Sequence, residues 1–168
     1  MRKKKVKQSI LQPGDIILCR VTLRSPIHDK LIAVGEWIMR KKFTRSNYCH
    51  VMMVDSDPEL VLEAVWPKTH LVKGDWDKRE KKYALEVYRV KRATLVQKAK
   101  AIHWAHKNLG VWYNVGLLMF GWFPKKHEVI CSTYIAKSYA YAGIQLGKNE
   151  KLLSPDEVAV STKLKRIS

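Results

Sequence analysis

Cys131 is the residue whose position in this sequence most favours nucleophilic chemistry. It follows Val129 and Ile130 and opens a predicted helix that begins CSTYIA. A thiol at a helix N-terminus meets the positive end of the helix dipole, which favours the thiolate. The free backbone N–H groups there can also bind a developing oxyanion. The alternative is a structural cysteine buried on the apolar face of the helix.

His50 and Glu63 lie on two successive predicted strands and can supply a base and a carboxylate. His50 interrupts the apolar strand YCHVMMV, and Glu63 is the one carboxylate in the next strand, LVLEAVW. A four-residue turn over 55–58 would place His50 directly opposite Glu63, where a carboxylate can orient an imidazole. A five-residue turn would place Ala64 there instead. The alternatives are a core histidine and a solvent-facing glutamate, but their coincidence with a helix-opening cysteine favours catalysis.

The two other cysteines are interpreted as structural. Cys19 lies in the first predicted strand and is assigned to the core. Cys49 precedes His50, and successive strand residues point to opposite faces, so Cys49 is not expected to share the site. No CxxC or HxxxH spacing accompanies these residues, and therefore neither a metal nor another cofactor is expected. Three widely spaced cysteines also argue against a disulfide scaffold and suit a reducing compartment.

The elements that would position these residues alternate between strand and helix patterns. Period and turn signals predict strands over 14–20, 48–54, 60–66 and 84–90, and helices over 27–42, 94–109 and 131–142. Ser154, Pro155 and Glu157 form the signature of a further helix start. This order predicts an α+β fold in which helices pack on an antiparallel sheet.

The composition predicts one folded, strongly basic domain. The chain has 168 residues, of which 32 are Lys or Arg and 15 are Asp or Glu, so its formal net charge is +17. Because 46% of the residues are apolar, the chain can bury a core despite this charge. We predict a basic lead-in over 1–12 and a single domain over 13–168.

The positive charge suggests attraction to nucleic acid, an anionic membrane surface or an acidic polymer. Nucleic acid is not expected, because no recognition motif is present and aromatic residues do not interleave with the basic runs. The basic N-terminus lacks the apolar region of a signal peptide. The longest uncharged stretch, 108–124, falls short of the roughly 20 residues that span a bilayer. A cytoplasmic location is therefore expected.

An ordered series of short motifs resembles one enzyme superfamily. The motifs are LQPGDII at 11–17, SNYCHV at 46–51, LEA at 62–64, GVWYN at 110–114, ICS at 130–132 and SPD at 154–156. They resemble the circularly permuted branch of the NlpC/P60 papain-like superfamily, especially the YiiX-like enzymes and, more distantly, lecithin:retinol acyltransferase-like proteins. Asn114 departs from the pattern, since this branch often has Asp after the Tyr.

The resemblance implies a permuted papain-like fold with Cys131 as nucleophile, His50 as general base and Glu63 as the orienting third residue. Tyr113 is a candidate hydroxyl donor or wall, with core packing as its alternative. The candidate substrate-binding residues are Tyr113, Trp112 and Ser132.

The leading hypothesis is a cysteine hydrolase that cleaves an amide bond, through a thioester, in a peptide or peptidoglycan-type substrate. One alternative is an acyltransferase or lipid-ester hydrolase that uses the same residues. The apolar segment 111–123 would then hold an acyl chain or face a membrane, instead of being buried packing. A further alternative is a non-enzymatic basic binding module. The expected partners are the substrate and an anionic polymer or membrane surface.

Overall fold

The computed structural model describes residues 8–25, 48–114, 128–149 and 153–168. The strands within these ranges are β1 (Ile16–Arg20), β2 (Tyr48–Val54), β3 (Leu60–Val65), β4 (Lys68–Lys73), β5 (Ala84–Val90), β6 (Trp112–Tyr113), β7 (Glu128–Val129) and β8 (Leu164–Arg166). The helices are α1 (Trp76–Lys82), α2 (Leu95–Lys107), α3 (Cys131–Tyr141) and α4 (Pro155–Ala159). None of these helices is long and apolar enough to cross a bilayer.

The eight strands form one sheet in the order β7-β6-β4-β3-β2-β1-β5-β8. Helices pack against this sheet, which confirms the predicted α+β class. The neighbours are antiparallel except for β6 and β7, which run parallel. The sheet is thus antiparallel as predicted, apart from the parallel pair at one edge. A parallel pair needs a crossover connection, and the residues that join these strands, 115–127, lie outside the described ranges.

The helices α2 and α3 cover one face of the sheet. Val51 of β2 and Leu62 of β3 belong to one buried cluster with Ala105 of α2 and Ile135 of α3. The Tyr134 hydroxyl donates a hydrogen bond of 2.7 Å to the Ala105 carbonyl and ties the two helices together. Because α3 is packed on β2 and β3, its first residue has a fixed position relative to both strands.

A second, smaller cluster covers the opposite face of the sheet. Met52 and Val61 pack there with Trp76, the first residue of α1, and with Leu11 from the segment before β1. All four side chains are buried. The sheet is therefore apolar on both faces near its centre, and a charged side chain placed there needs a partner.

A buried ion pair fastens the segment before β1 to β5. Asp15 is fully buried and accepts hydrogen bonds of 2.7 Å from both Nε and Nη2 of Arg89. The backbone N–H of Gln12 donates to the same carboxylate at 2.9 Å, and Arg89 Nη2 donates to the Ile10 carbonyl at 2.9 Å. The negative charge of the Asp15 carboxylate and the positive charge of the Arg89 guanidinium thus compensate each other, and the two groups are joined by two hydrogen bonds.

The predicted elements in the described ranges are present, with ends that shift by no more than two residues. Ser154 caps α4 as predicted, with Oγ accepting from the Glu157 N–H at 3.2 Å. The predicted helix over 27–42 lies outside the described residues. Five further elements were not predicted from the sequence, because they are short or have polar sequences: β4, α1, β6, β7 and β8.

Replacing Arg89 with Met should lower the free energy of unfolding by about 3 kcal/mol, because Asp15 would remain as a buried, uncompensated carboxylate. Urea unfolding followed by circular dichroism measures this change. Lys165, the exposed β8 residue paired with Arg89, supplies the control: Lys165→Met should change stability by less than about 0.5 kcal/mol. Equal stability of the two variants would contradict the assigned role of the ion pair.

Candidate active site

Cys131 begins α3, and one residue, Ile130, separates it from the end of β7. Its side chain is buried, with the residue 4% exposed. The first turn is fixed by a hydrogen bond of 2.9 Å from the Ile130 N–H to Thr133 Oγ1. N–H groups in the first turn of a helix have no acceptor within the helix. The thiol therefore lies beside free donors and at the positive end of the α3 dipole.

A β-bulge in β2 lies directly before His50. On β1, Cys19 pairs with His50 and Arg20 pairs with Tyr48, so Cys49 is the extra residue. The imidazole of His50 hydrogen-bonds the Glu63 side chain, and Cys131 is near enough to contribute to the raised pKa of His50. Because Nε2 makes the contact with Glu63, Nδ1 is the ring nitrogen left for the thiol.

His50 Nε2 is 2.7 Å from Glu63 Oε2, but the strand register behind this contact differs from the predicted one. Met52, and not His50, is directly opposite Glu63. The prediction of a directly opposed pair was wrong because the turn is longer than four or five residues. Six residues, 55–60, lie between the paired residues Val54 and Val61, and the Asp55 N–H donates to the Leu60 carbonyl at 3.0 Å across the ends of this segment. The two side chains meet across a diagonal, which long side chains can span.

Glu63 is a buried carboxylate, 4% exposed, that contacts side chains from three elements. In addition to His50 of β2, Arg79 of α1 donates from Nη2 to Oε1 at 2.7 Å and from Nη1 to Oε2 at 3.2 Å. His70 is opposite Glu63 on β4, with Nε2 3.7 Å from Oε1. The carboxylate therefore lies between two imidazoles and a guanidinium.

Arg79 and His70 were not predicted from the sequence. Arg79 falls in the run KREKK, which was interpreted only as one of several basic stretches, and no local pattern distinguishes it. His70 could have been found, because a two-residue turn at Trp66 and Pro67 pairs β3 with β4 and places His70 opposite Glu63. The polar sequence KTHLVK concealed that strand.

For both His50 and Glu63, the side-chain contacts together shift the pKa further than burial does, and in the opposite direction. Burial by itself lowers the pKa of His50, but its hydrogen bonds and charge interactions with Cys131 and Glu63 raise that pKa to about 10. Burial by itself raises the pKa of Glu63, but His50 and Arg79 hold it well below its usual range. The favoured state at neutral pH is therefore an imidazolium beside a carboxylate.

The three predicted substrate-binding residues occupy different environments. Trp112 is 58% exposed, and Lys68 Nζ is 4.4 Å from the centre of its ring. Tyr113 is partly buried and packs against the main core cluster. Ser132 is fully buried, and its hydroxyl donates to the Leu153 carbonyl. The Ser132 side chain faces the interior at the second position of α3, and its role in substrate binding stays a prediction.

Cys19 and Cys49 lie in the smaller apolar cluster. Burial raises the pKa of the Cys19 thiol, which keeps it protonated. Cys49 Sγ donates to the Cys19 carbonyl at 3.4 Å. The bulge interrupts the strict alternation of faces that was expected between Cys49 and His50. In the described ranges, no group of three or more His, Cys, Asp or Glu side chains could hold a metal ion.

A family model described as "Permuted papain-like amidase enzyme, YaeF/YiiX, C92 family" matches residues 10–163. This match covers nearly the whole chain and confirms the YiiX-like, permuted papain-like part of the predicted resemblance. The members of this family are amidases, which places the chain in the class of cysteine-dependent hydrolases. No curated protein matches the chain.

The imidazole of His50 should stay protonated well above the usual range of histidine, because Cys131 and Glu63 stabilise its charged form. Its folded pKa is raised, so the stability it contributes is complete below about pH 6.5 and is lost as the pH rises through about 10. Nitrogen NMR of the labelled imidazole measures the midpoint. In Cys131→Ala the midpoint should fall. A midpoint near 6.5 in both proteins would contradict the contact.

Proposed function

Because the chain belongs to the YaeF/YiiX (C92) family of permuted papain-like amidases, we propose that Cys131, His50 and Glu63 hydrolyse an amide bond. Cys131 is the nucleophile, His50 is the general acid and base, and Glu63 orients the imidazole. The observation that carries this proposal is the juxtaposition of the three side chains: His50 Nε2 is 2.7 Å from Glu63 Oε2, and Cys131 at the start of α3 interacts with the same imidazole. A nucleophile, a base and an orienting group in direct contact are the arrangement that nucleophilic catalysis requires.

Acylation begins from an ion pair in which His50 is already the imidazolium and Cys131 the thiolate, and the sulfur attacks the carbonyl carbon of the amide. The carbonyl oxygen becomes an oxyanion as the C–S bond forms. The intermediate then collapses, the C–N bond breaks, and the His50 imidazolium gives its proton to the leaving amine. A thioester on Cys131 remains. The stable imidazolium of His50 suits this step, since the amine cannot leave without a proton.

Deacylation uses the same base in the opposite direction. After the amine has left, neutral His50 takes a proton from a water molecule, and the resulting hydroxide attacks the thioester carbon. Breaking the C–S bond releases the carboxylic acid product and leaves Cys131 as a thiolate beside the protonated His50. The charged Glu63 fixes the ring through Nε2, so that Nδ1 faces the reacting atoms in both half-reactions.

The N-terminus of α3 supplies the electrostatic part of the mechanism. The oxyanion forms next to Cys131, whose own backbone N–H belongs to the first turn of the helix. Donors in that turn are fixed by the helix and need no reorganisation when charge develops. The helix dipole favours negative charge at the same end. The mechanism therefore uses one helix end to bind the oxyanion and to place the nucleophile.

The substrate class we propose is a peptide, which includes the stem peptide of a peptidoglycan-type polymer. The family description, amidase, supports an amide rather than an ester. The net charge of +17 favours an anionic substrate or carrier, through long-range attraction. For the acyltransferase alternative, the apolar segment 111–123 is described only to residue 114. Its proposed role as an acyl wall therefore rests on the sequence alone.

Iodoacetamide at neutral pH should alkylate Cys131 faster than a free cysteine and faster than buried Cys19 or Cys49. His50→Ala should slow the labelling of Cys131 by about tenfold or more, since the thiolate loses its cationic neighbour. Peptide mass spectrometry after timed labelling measures each site.

His106→Ala is the matched control. His106 forms a second histidine–carboxylate pair, with Nε2 2.8 Å from Oδ1 of Asp55, which follows the C-terminal end of β2. This variant should label Cys131 at the unchanged rate. The proposed triad fails if Cys131 reacts only at the free-thiol rate and His50→Ala leaves that rate unaltered.

A further inference from the structure

Arg79 links α1 to the carboxylate of the proposed triad. Its Nη2 and Nη1 groups donate to both oxygens of Glu63, at 2.7 Å and 3.2 Å. Oε2 of Glu63 also receives His50 Nε2 at 2.7 Å, so one oxygen atom is shared by the imidazole and the guanidinium. The orientation of the carboxylate that His50 meets is thus set by Arg79.

The Arg79 guanidinium is also hydrogen-bonded to the loop that precedes α1. Arg79 Nε donates to the Gly74 carbonyl at 2.8 Å, and the Arg79 backbone N–H donates to the Asp75 carbonyl at 2.9 Å. A Cβ atom on Gly74 would come within 2.5 Å of the Trp76 ring, so the residue at this position must be small. Because Nε is bound to the Gly74 carbonyl and both Nη atoms are bound to the Glu63 carboxylate, the orientation of the guanidinium is fixed.

A carboxylate in this position requires such a partner. Glu63 is only 4% exposed, and burial by itself favours the neutral, protonated acid. The titratable groups around it come from every neighbouring element. They are His50 of β2, Arg79 of α1, His70 of β4 and Cys19 of β1, and Cys131 of α3 interacts with His50. Arg79 is the permanently charged member of this set, whereas the histidines can lose their protons.

We propose that Arg79 is a positioning residue, which acts through Glu63 to keep the carboxylate ionised and aimed at His50 Nε2. This inference rests on the proposed function of Cys131, His50 and Glu63. Arg79 does not touch the reacting atoms. Its contribution is to keep Glu63 an acceptor when the pH falls and when His50 passes its proton to the leaving amine.

The test compares Arg79→Met and Arg79→Lys with Lys78→Met, a matched control that removes an exposed positive charge from the same helix. Carbon NMR of labelled glutamate carboxyls, assigned with Glu63→Gln, measures the titration of Glu63. The hydrolysis of para-nitrophenyl acetate is followed against pH in each protein. Circular dichroism verifies that each variant is folded, and Arg79→Lys remains informative if Arg79→Met does not fold.

In Arg79→Met the titration midpoint of Glu63 should rise by about one pH unit or more, the usual effect of losing an adjacent opposite charge. A raised pKa means that the carboxylate is lost earlier as the pH falls, so the acid limb of ester hydrolysis should move to higher pH. Arg79→Lys should show a smaller shift, because an ammonium keeps the charge but not the two-pronged geometry. Lys78→Met should match the unchanged protein.

A Glu63 titration and a pH profile that stay unchanged in both folded Arg79 variants would overturn the proposal. A different result separates the proposed function from this inference. If the unchanged protein neither hydrolyses the ester nor becomes acylated on Cys131, while Arg79→Met still shifts Glu63, the proposed function fails. In that case Arg79 stabilises the ionised Glu63 carboxylate, but this interaction has no role in catalysis.

Discussion

The buried charge of Glu63 is the constraint on which the rest of the site depends. A carboxylate in the apolar interior is unfavourable unless it is paired and hydrogen-bonded. Here the compensation comes from His50 on the neighbouring strand and Arg79 on α1. Satisfying one acidic side chain therefore requires that β2, β3 and α1 meet at a single point. The same requirement fixes the ring of His50, whose other nitrogen is left for Cys131.

The order of elements explains how a distant cysteine reaches this point. The histidine and the carboxylate occur early in the chain, on adjacent antiparallel strands, whereas the cysteine follows β7 near the other end. The helix α3 crosses back over β2 and β3, and its apolar side belongs to the same core cluster as those strands. Packing of that helix, and not sequence proximity, places Cys131 against His50. His50 precedes Cys131 in this chain, and the matched family is described as permuted.

Local sequence patterns were enough for the longer strands and helices of the described ranges and for naming Cys131, His50 and Glu63 as candidates. Cys131 was identified by its place at a helix start, and Glu63 by being the one acidic residue in an apolar strand. The exact pairing behind the contact of His50 with Glu63 could not be derived, because strand register depends on the length of the turn between β2 and β3. Six residues separate the paired strands there, which is more than the composition suggested. Arg79 had no sequence signal at all. Its role arises only when α1 folds over the sheet, and a charged helix such as WDKREKK resembles any exposed surface helix.

The central claim is that Cys131 carries a covalent acyl group during turnover. Rapid quenching of the protein with a para-nitrophenyl ester, followed by peptide mass spectrometry, tests this claim directly. The account predicts a burst of para-nitrophenol that is stoichiometric with the protein, and an acyl group on Cys131 but not on Cys19 or Cys49. An ester hydrolysis that proceeds without a burst and survives Cys131→Ala would contradict it.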